Sequence, residues 1–479
     1  MRLSTADGTA RLGQVQIRSV QQVIELDAGS DSGRMCGGPF PSSFFTFSSC
    51  DTEGNVACPT ALHAVAGQMA IVVPCMNEDV ATIEGVLSGI PHDSLVILAS
   101  NSHRSGPGGD AYAHEVDALK RFCRASGRSA ISIHQQDPGL AKAFKLAGMP
   151  EIIDKSTGLI WKGKGEAMLM GTALAIVAGR KYVGFIDADN FVPGSVREYC
   201  EAFAAGLHHA QEGRQKGMAM VRLSWRSKPK VRNGKLEFSK SGRSSVITNR
   251  WLNQLLMAQG GAEEGNRDII ATGNAGEHAM SLELGAKMRF ASGFAVEPFQ
   301  FLDIMEQFGG SASVPSTKEK TQGRRRHEQQ QPVKIIQIET RNPHFHQDKG
   351  GEHVKDMWAQ ALGVIHNSTV TPPSLRHEIA AFMLENKALP SGEVAPSPQQ
   401  TRVYPPVETL DMARLWALMC ADAASLTIFG DPLAGGAAEG SEPMLGVVTL
   451  LESVKERIWN LVGTLPLNTH SGGVRLGSA

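Results

Sequence analysis

The sequence predicts an α/β fold built on a mostly parallel sheet flanked by helices. Three observations carry that prediction. From Met69 onward short apolar runs alternate with stretches of helical length and periodicity. The runs are continuously apolar, as strands covered on both faces must be, and each ends in a polar cluster.

The elements follow in order. Residues 11–28 (RLGQVQIRSVQQVIELDA) alternate well enough for an early strand, whereas 29–60, rich in Ser, Gly, Phe and Pro, read as a loop. MAIVVPCMNED (69–79) is a buried strand broken by Pro74, and VATIEGVLSGI supplies a helix. LVILASNSHRS (95–105) is a second strand entering a polar loop, followed by the helix YAHEVDALKRFCRAS and a third strand, AISIHQQ (130–136). The apolar helix GEAMLMGTALAIVAG (165–179) leads directly into the strand YVGFIDADN. Toward the C-terminus LDMARLWALMCADAASLTIF and MLGVVTLLESVKERIWNLVG read as helices. Four stretches result: a leader of strand and irregular chain (1–66), a core (67–240), a smaller α+β region (241–389), and a Pro-rich linker with a helical extension (390–479). Within the third, 311–332 is low in apolar residues, and reads as a disordered solvated loop in preference to a basic binding arm.

Bulk properties bound the function. A chain of 479 residues with 42% hydrophobic and 20% charged content has room for one large α/β domain with additions, or for two to three domains. The net charge of -1 argues against a nucleic-acid coat or a polybasic membrane binder. Seven scattered cysteines without a C-x-x-C pair suit reduced thiols, neither a disulfide framework nor a zinc ribbon. The first residues lack a signal-peptide core and no apolar stretch is long enough to span a bilayer. The expectation is a soluble cytoplasmic protein without membrane or nucleic-acid partners.

In sheets of this kind ligands collect where strands end. Those ends carry Pro74 to Asp79, Ser100 to Arg104, and Asp187 to Asn190. Asp187-Ala188-Asp189 places two carboxylates one residue apart at the end of a buried strand, which is costly unless something positive meets them. A divalent cation carrying a sugar nucleotide diphosphate would do so; a helix cap is the simpler alternative.

IVVPCMNED, KGKGEAM, FIDADNFVPG, TGNAGEHAMSL and IETRNPHFHQDKGGEHVKDMW resemble the motif series of the mannosyl-3-phosphoglycerate synthases, retaining GT-A glycosyltransferases that use GDP-mannose. The resemblance spans residues 11–380 without the 311–332 insertion. It implies a GT-A, Rossmann-like core, and transfer of mannose to the 2-hydroxyl of 3-phosphoglycerate. A homodimer is kept as one assembly.

The resemblance assigns sites residue by residue. Pro74, Asn77 and Glu78 hold base and ribose, with Ser100 on the same wall; a turn with a Glu at a helix N-terminus is the alternative for Glu78. Lys162 and Lys164, interleaved with glycines before a helix, suit a pyrophosphate without matching a Walker A loop. Asp187 and Ala188 fall on the nucleotide-sugar side. Asp189 joins a histidine of NPHFHQD, His344 or else His346, on Mg2+ or Mn2+. Gly242, Arg243 and Ser245 resemble an acceptor loop of the related glucosyl-3-phosphoglycerate synthases; Thr272 and Asn274 are candidates for contact with the acceptor or the donor sugar, and His346 for a further acceptor contact. RLSWRSKPK (222–230) is either a third acceptor segment or a charged strand edge or hairpin. Glu297, read as following an apolar strand, is a base or positioning carboxylate, or else a buried Glu paired to Arg289 or another cation. TGNAGEHAM is read as small residues before a helix. A relative using another nucleotide sugar or glycerate, or a silent nucleotide-sugar-binding regulator, stays open at this point.

Overall fold

The structure is a computed structural model, which describes residues 1–28, 55–105, 109–190, 192–211, 217–232, 235–239, 242–261, 268–310, 331–345, 350–389 and 397–432. The strands are β1 (Arg2–Leu3), β2 (Thr9–Leu12), β3 (Val15–Glu25), β4 (Asn55–Val56), β5 (Met69–Cys75), β6 (Leu95–Ser100), β7 (Ala130–His134) and β8 (Tyr182–Phe185). There follow β9 (Met218–Trp225), β10 (Lys228–Arg232), β11 (Lys235–Ser239), β12 (His278–Ser281), β13 (Phe290–Ala291), β14 (Val333–Thr340), β15 (Val403–Tyr404) and β16 (Thr427–Phe429). The helices are α1 (Pro59–Ala66), α2 (Val80–Gly89), α3 (Ala111–Ser126), α4 (Pro138–Ala147), α5 (Lys164–Val177) and α6 (Pro193–Gln211). Then come α7 (Arg243–Ala258), α8 (Leu282–Lys287), α9 (Val296–Phe308), α10 (Gly350–Asn367), α11 (Pro373–Glu385) and α12 (Met412–Asp422).

Among the described residues one twelve-stranded sheet runs β16-β7-β6-β5-β8-β12-β9-β14-β3-β1-β4, with β2 hydrogen-bonded to β3. Strands β7, β6, β5 and β8 are parallel, as are β9, β14 and β3; β12 lies antiparallel between β8 and β9. The α/β class predicted from the apolar runs is the architecture observed. Alternate residues of β5 enter opposite cores: Ala70 and Val72 pack toward α5, and Met69, Ile71 and Val73 toward α2 and α6. Burial on both faces is why these strands read as continuous apolar runs. Among the described residues no helix is long and apolar enough to cross a membrane.

Several expectations need correction. Pro74 does not break its strand, because β8 pairs with β5 only through Val72, and β6 alone accompanies Pro74 and Cys75. A residue without an N–H is tolerated where the ladder has one side. Residues 9–12 join the early strand as a hairpin through Gly13 at φ 55, and α1 begins inside the segment read as loop. TGNAGEHAM leads into β12, not a helix. Glu297 lies in the first turn of α9, two residues past a 3-10 turn. The helix in LDMARLWALMCADAASLTIF ends at Asp422, and Thr427–Phe429 pairs antiparallel with Ser132–Ala130. β-branched Thr427 and Ile428 with Phe429 suit a strand, and they cover what would otherwise be an open sheet edge. The second C-terminal helix, from Met444, lies outside the described residues, as do positions 311–330 of the insertion and 390–396 of the Pro-rich linker.

Candidate active site

The end of β5 is shaped by Asn77, held at φ 66. Its backbone N–H donates to Ser102 Oγ at 2.7 Å, and its side-chain oxygen accepts from the His103 N–H at 2.9 Å, which joins the β5 and β6 strand ends. Ser102 in turn donates to buried Glu115. The Glu78 carboxylate accepts from the Met76 N–H and Pro74 is half-buried on the same edge, but Ser100 is fully buried and its hydroxyl accepts from the Ser102 N–H. Ser100 therefore shapes the strand end from within and does not line the wall where it was expected.

Helix α5 opens with the KGKG segment, and its two lysines part company. Lys162 is exposed. Lys164 is only 14% exposed and lies between two carboxylates, 2.6 Å from Asp187 Oδ1 and 2.8 Å from Glu297 Oε1. Burial disfavours its charge, yet Asp187 and Glu297 outweigh this and hold the ammonium above its ordinary range. The cation expected to meet a pyrophosphate is thus the bridge between the D-x-D segment and Glu297. The partner of Glu297 is Lys164, not Arg289, which pairs with Asp303 and Glu306. Nor is Gly165 a phosphate cradle: it is buried, and a Cβ there would lie 1.9 Å from the Ala291 carbonyl oxygen.

Past β8 the chain stays on the sheet through the Ile186 N–H, which donates to the Val72 carbonyl at 3.1 Å. Ala188 is buried between half-buried Asp187 and Asp189. Asn190 turns back, donating to the Asp187 carbonyl at 3.1 Å and to Glu277 Oε1 at 2.7 Å. Glu277 was not anticipated. It is 1% exposed, and burial and then Asp187 push its carboxyl up to about 8 against the opposing pull of Lys164. Gly276 keeps the space for this cluster, since a Cβ there would lie 2.5 Å from Asp187 Oδ2 and 2.8 Å from Lys164 Nζ. The sequence signal was present in TGNAGEH, a glycine-glutamate pair entering a strand.

His344 is buried and held on three sides. Its ring stacks on Trp225 with centroids 4.2 Å apart, Nδ1 lies 3.1 Å from the Tyr199 hydroxyl, and its N–H donates to the Ser227 carbonyl at 3.0 Å. The preceding loop is tied to the first turns of α6: Ser195 Oγ donates to the Pro343 carbonyl, and the Glu198 carboxylate accepts the N–H groups of Arg341 and Asn342. Because α6 begins four residues after Asp189, this loop and the D-x-D segment are anchored to the same helix end. His346 lies outside the described residues. Among the described residues no cluster of three or more His, Cys, Asp or Glu forms a metal cage. Carboxylate oxygens such as those of Asp189 suit Mg2+ or Mn2+, and an imidazole such as that of His344 would shift the preference toward Mn2+.

The basic run 222–230 divides. Arg222 is fully buried and donates to the carbonyls of Thr272 (2.8 Å), Gly273 (3.3 Å) and Glu297 (3.1 Å), so it welds the 272–273 loop to the start of α9. Burial lowers its guanidinium to about 9. Lys228 instead lies at Trp225 and Gly242, its ammonium 3.9 Å from the Trp225 ring centroid and 3.5 Å from where a Cβ on Gly242 would sit. Gly242 precedes α7, with Arg243 exposed and Ser245 half-buried in its first turn. Thr272 does not offer its hydroxyl to an acceptor: it is buried and bonded to Gln337 at 2.8 Å. Asn274 donates to Ser244 Oγ at 2.9 Å, while its buried Oδ1 has no hydrogen-bond partner among the described residues.

The family model described as mannosyl-3-phosphoglycerate synthase matches residues 5–419. The chain belongs to this family. A mannosyl-3-phosphoglycerate synthase from Pyrococcus furiosus is 37% identical over 418 residues, 87% of this chain and 97% of that one. One from Aeropyrum pernix is 34% identical over 348 residues, covering 71% and 82%. A solved glucosyl-3-phosphoglycerate synthase from Mycobacterium tuberculosis, in complex with Mn2+, UDP-glucose and phosphoglyceric acid, covers 73% of this chain and 93% of that chain. Its identity is 20% and its TM-score 0.40, too loose a likeness to place a residue. The synthase family match runs past the last motif at Trp358 into α12, so β15 and most of α12 belong to the family span.

Proposed function

We propose that this chain transfers mannose from GDP-mannose to the 2-hydroxyl of 3-phosphoglycerate with retention, yielding mannosyl-3-phosphoglycerate. The observation that carries the reading, beside membership of the family, is the Lys164 bridge: one buried ammonium holds the D-x-D carboxylate Asp187 and Glu297 together. In this reading residues 67–240 carry the donor and 241–389 the acceptor, supported by the strand ends of the first and the Gly242–Ser245 loop of the second. The free thiols at Cys58, Cys75, Cys123, Cys200 and Cys420 support a cytoplasmic setting.

Asp189 and His344 would hold Mg2+ or Mn2+, which when bound neutralises charge on the GDP leaving group. The protein's own part is positional and electrostatic. Asn77 and Glu78 shape the base and ribose end, and Lys162 stands at the diphosphate. Arg243, Ser245, Lys228 and Asn274 receive the acceptor's phosphate and carboxylate, with the guanidinium suited to both. Glu297, oriented by Lys164, holds the acceptor hydroxyl. The new bond joins that oxygen to the anomeric carbon as the bond to GDP breaks, and the hydroxyl proton leaves with the diphosphate.

The test is turnover of GDP-mannose with 3-phosphoglycerate, run against UDP- and other GDP-sugars and against glycerate. Phosphorylated product from the named pair, lost on chelation and in folded Asp189→Ala protein, is the expected result. Full activity of that variant in chelator would sink the mechanism.

A further inference from the structure

The Lys164–Glu297 contact is braced by a segment far away in sequence. Glu166, two residues after Lys164, is fully buried, and its carboxylate accepts from two directions. Oε1 accepts a hydrogen bond from the Tyr404 hydroxyl at 2.6 Å, and Oε2 accepts one from the Gly293 N–H at 3.3 Å. Gly293, at φ 64, opens the turn that delivers Glu297 four residues later. One carboxylate therefore ties the start of α5, which carries Lys164, to the start of α9, which carries Glu297.

Tyr404 holds that carboxylate from a third element. Strand β15 pairs with β13, matching Phe290 with Tyr404 and Ala291 with Val403, and the Ser292 N–H continues the pairing onto the Arg402 carbonyl at 2.9 Å. The Arg402 guanidinium lies 3.8 Å from the centroid of Trp161, at the entrance to the KGKG segment. The chain then runs on to α12 and β16, where Ser425 is held by Asp137 and Tyr112. Tyr404 is 1% exposed, and burial and then Glu166 raise its hydroxyl above the ordinary range, so it stays the donor. Gly163 leaves room for the arrangement, since a Cβ there would lie 2.2 Å from Glu166 Oε2.

We propose that Tyr404 is a positioning residue for transfer, acting through Glu166 to set the Lys164–Glu297 contact from the C-terminal strap. The proposal rests on Glu297 being a working residue of the transferase. Tyr404→Phe keeps the ring and removes the hydrogen bond to Glu166, so the ground-state sites stay filled while the geometry at Glu297 loosens.

Full-length Tyr404→Phe, Glu166→Gln, their double variant and Glu297→Gln are compared with the unaltered chain under saturating metal. For Tyr404→Phe the expected result is kcat lower by about tenfold or more, because small misplacements at a reacting centre act on turnover. KM for both substrates should stay within about twofold, as expected when only transition-state interactions are lost. The double variant should lose no more than the larger single loss, as residues in one network do. An unchanged kcat, a raised KM in its place, or additive losses would overturn the proposal. If Tyr404→Phe does not fold, Glu166→Gln, which keeps Oε1 as acceptor and disturbs only the Gly293 side, is read the same way. Full turnover by Glu297→Gln defeats the active-site reading itself; loss there with normal kcat in Tyr404→Phe defeats only the positioning role.

Discussion

The two ends of the candidate site are stabilised by different physics. At one end Lys164, Asp187, Glu277 and Glu297 form a cluster of charged and ionisable groups, largely shielded from water, in which each group depends on its neighbours. At the other, His344 is held by aromatic stacking on Trp225 and a hydrogen bond to Tyr199, with the Lys228 ammonium beside the same indole. Compensated charge is intolerant of losing a member, whereas a stacked ring tolerates loss of one contact. Substitutions at the first end should thus injure fold and activity together, and at the second activity alone.

Lys164→Met tests the first half of that contrast most severely. It leaves Asp187 and Glu297 without the cation between them, so urea unfolding should show a loss of about 3–5 kcal/mol, with turnover abolished. Near-native stability in that variant would break the comparison. His344→Ala is the counterpart: transfer should fall about 100-fold and Mn2+ binding, read by calorimetry, should weaken, while the unfolding midpoint moves little. Gly276→Ala asks whether the charged cluster is also sterically closed. Its methyl group meets the Asp187 carboxylate and Lys164 Nζ, and an overpacking cost of about 1–3 kcal/mol is expected, with kcat reduced.

Glu277→Gln sharpens the contrast through pH. The native carboxyl keeps its proton up to about 8, against an ordinary value of 4.5, so across that window the folded state binds more protons than the unfolded. Its contribution therefore makes stability fall as pH rises from 4.5 to about 8, with the full penalty above. Unfolding titrations across the window should show a shallower decline in the Glu277→Gln variant; an unchanged slope would place the ionisation elsewhere. Tyr199→Phe should have the smallest effect. It leaves the stacking intact and removes one partner of His344 Nδ1, so metal affinity should drop by no more than about tenfold, with little change in stability.

Much of this was legible from residue order, and the parts that were not share a cause. The alternation from Met69, the D-x-D at the end of β8 and the KGKG segment at the start of α5 are local patterns, and they stand where periodicity and strand-end logic placed them. Pro74 misled because a single sequence does not say where a neighbouring ladder stops. Thr427–Phe429 misled because a short apolar run after a helix takes its state from the open edge beside it. Ser100 and Thr272 bear hydroxyls at the expected places, but which way each side chain turns was decided by Ser102 and Gln337.

The sequence by itself determined the α/β class, the strands that end in the MNED and D-x-D segments with the helix that follows KGKG, and the family to which the motifs belong, because each is written in spacing along the chain. Only the tertiary structure decided that Lys164 answers Asp187 and Glu297, that Glu277 stands beside them, and that Tyr404 reaches Glu166 across the fold. Ion pairing and proton affinity follow distance through space and exclusion of water, and neither quantity is encoded in the separation of residues along the chain.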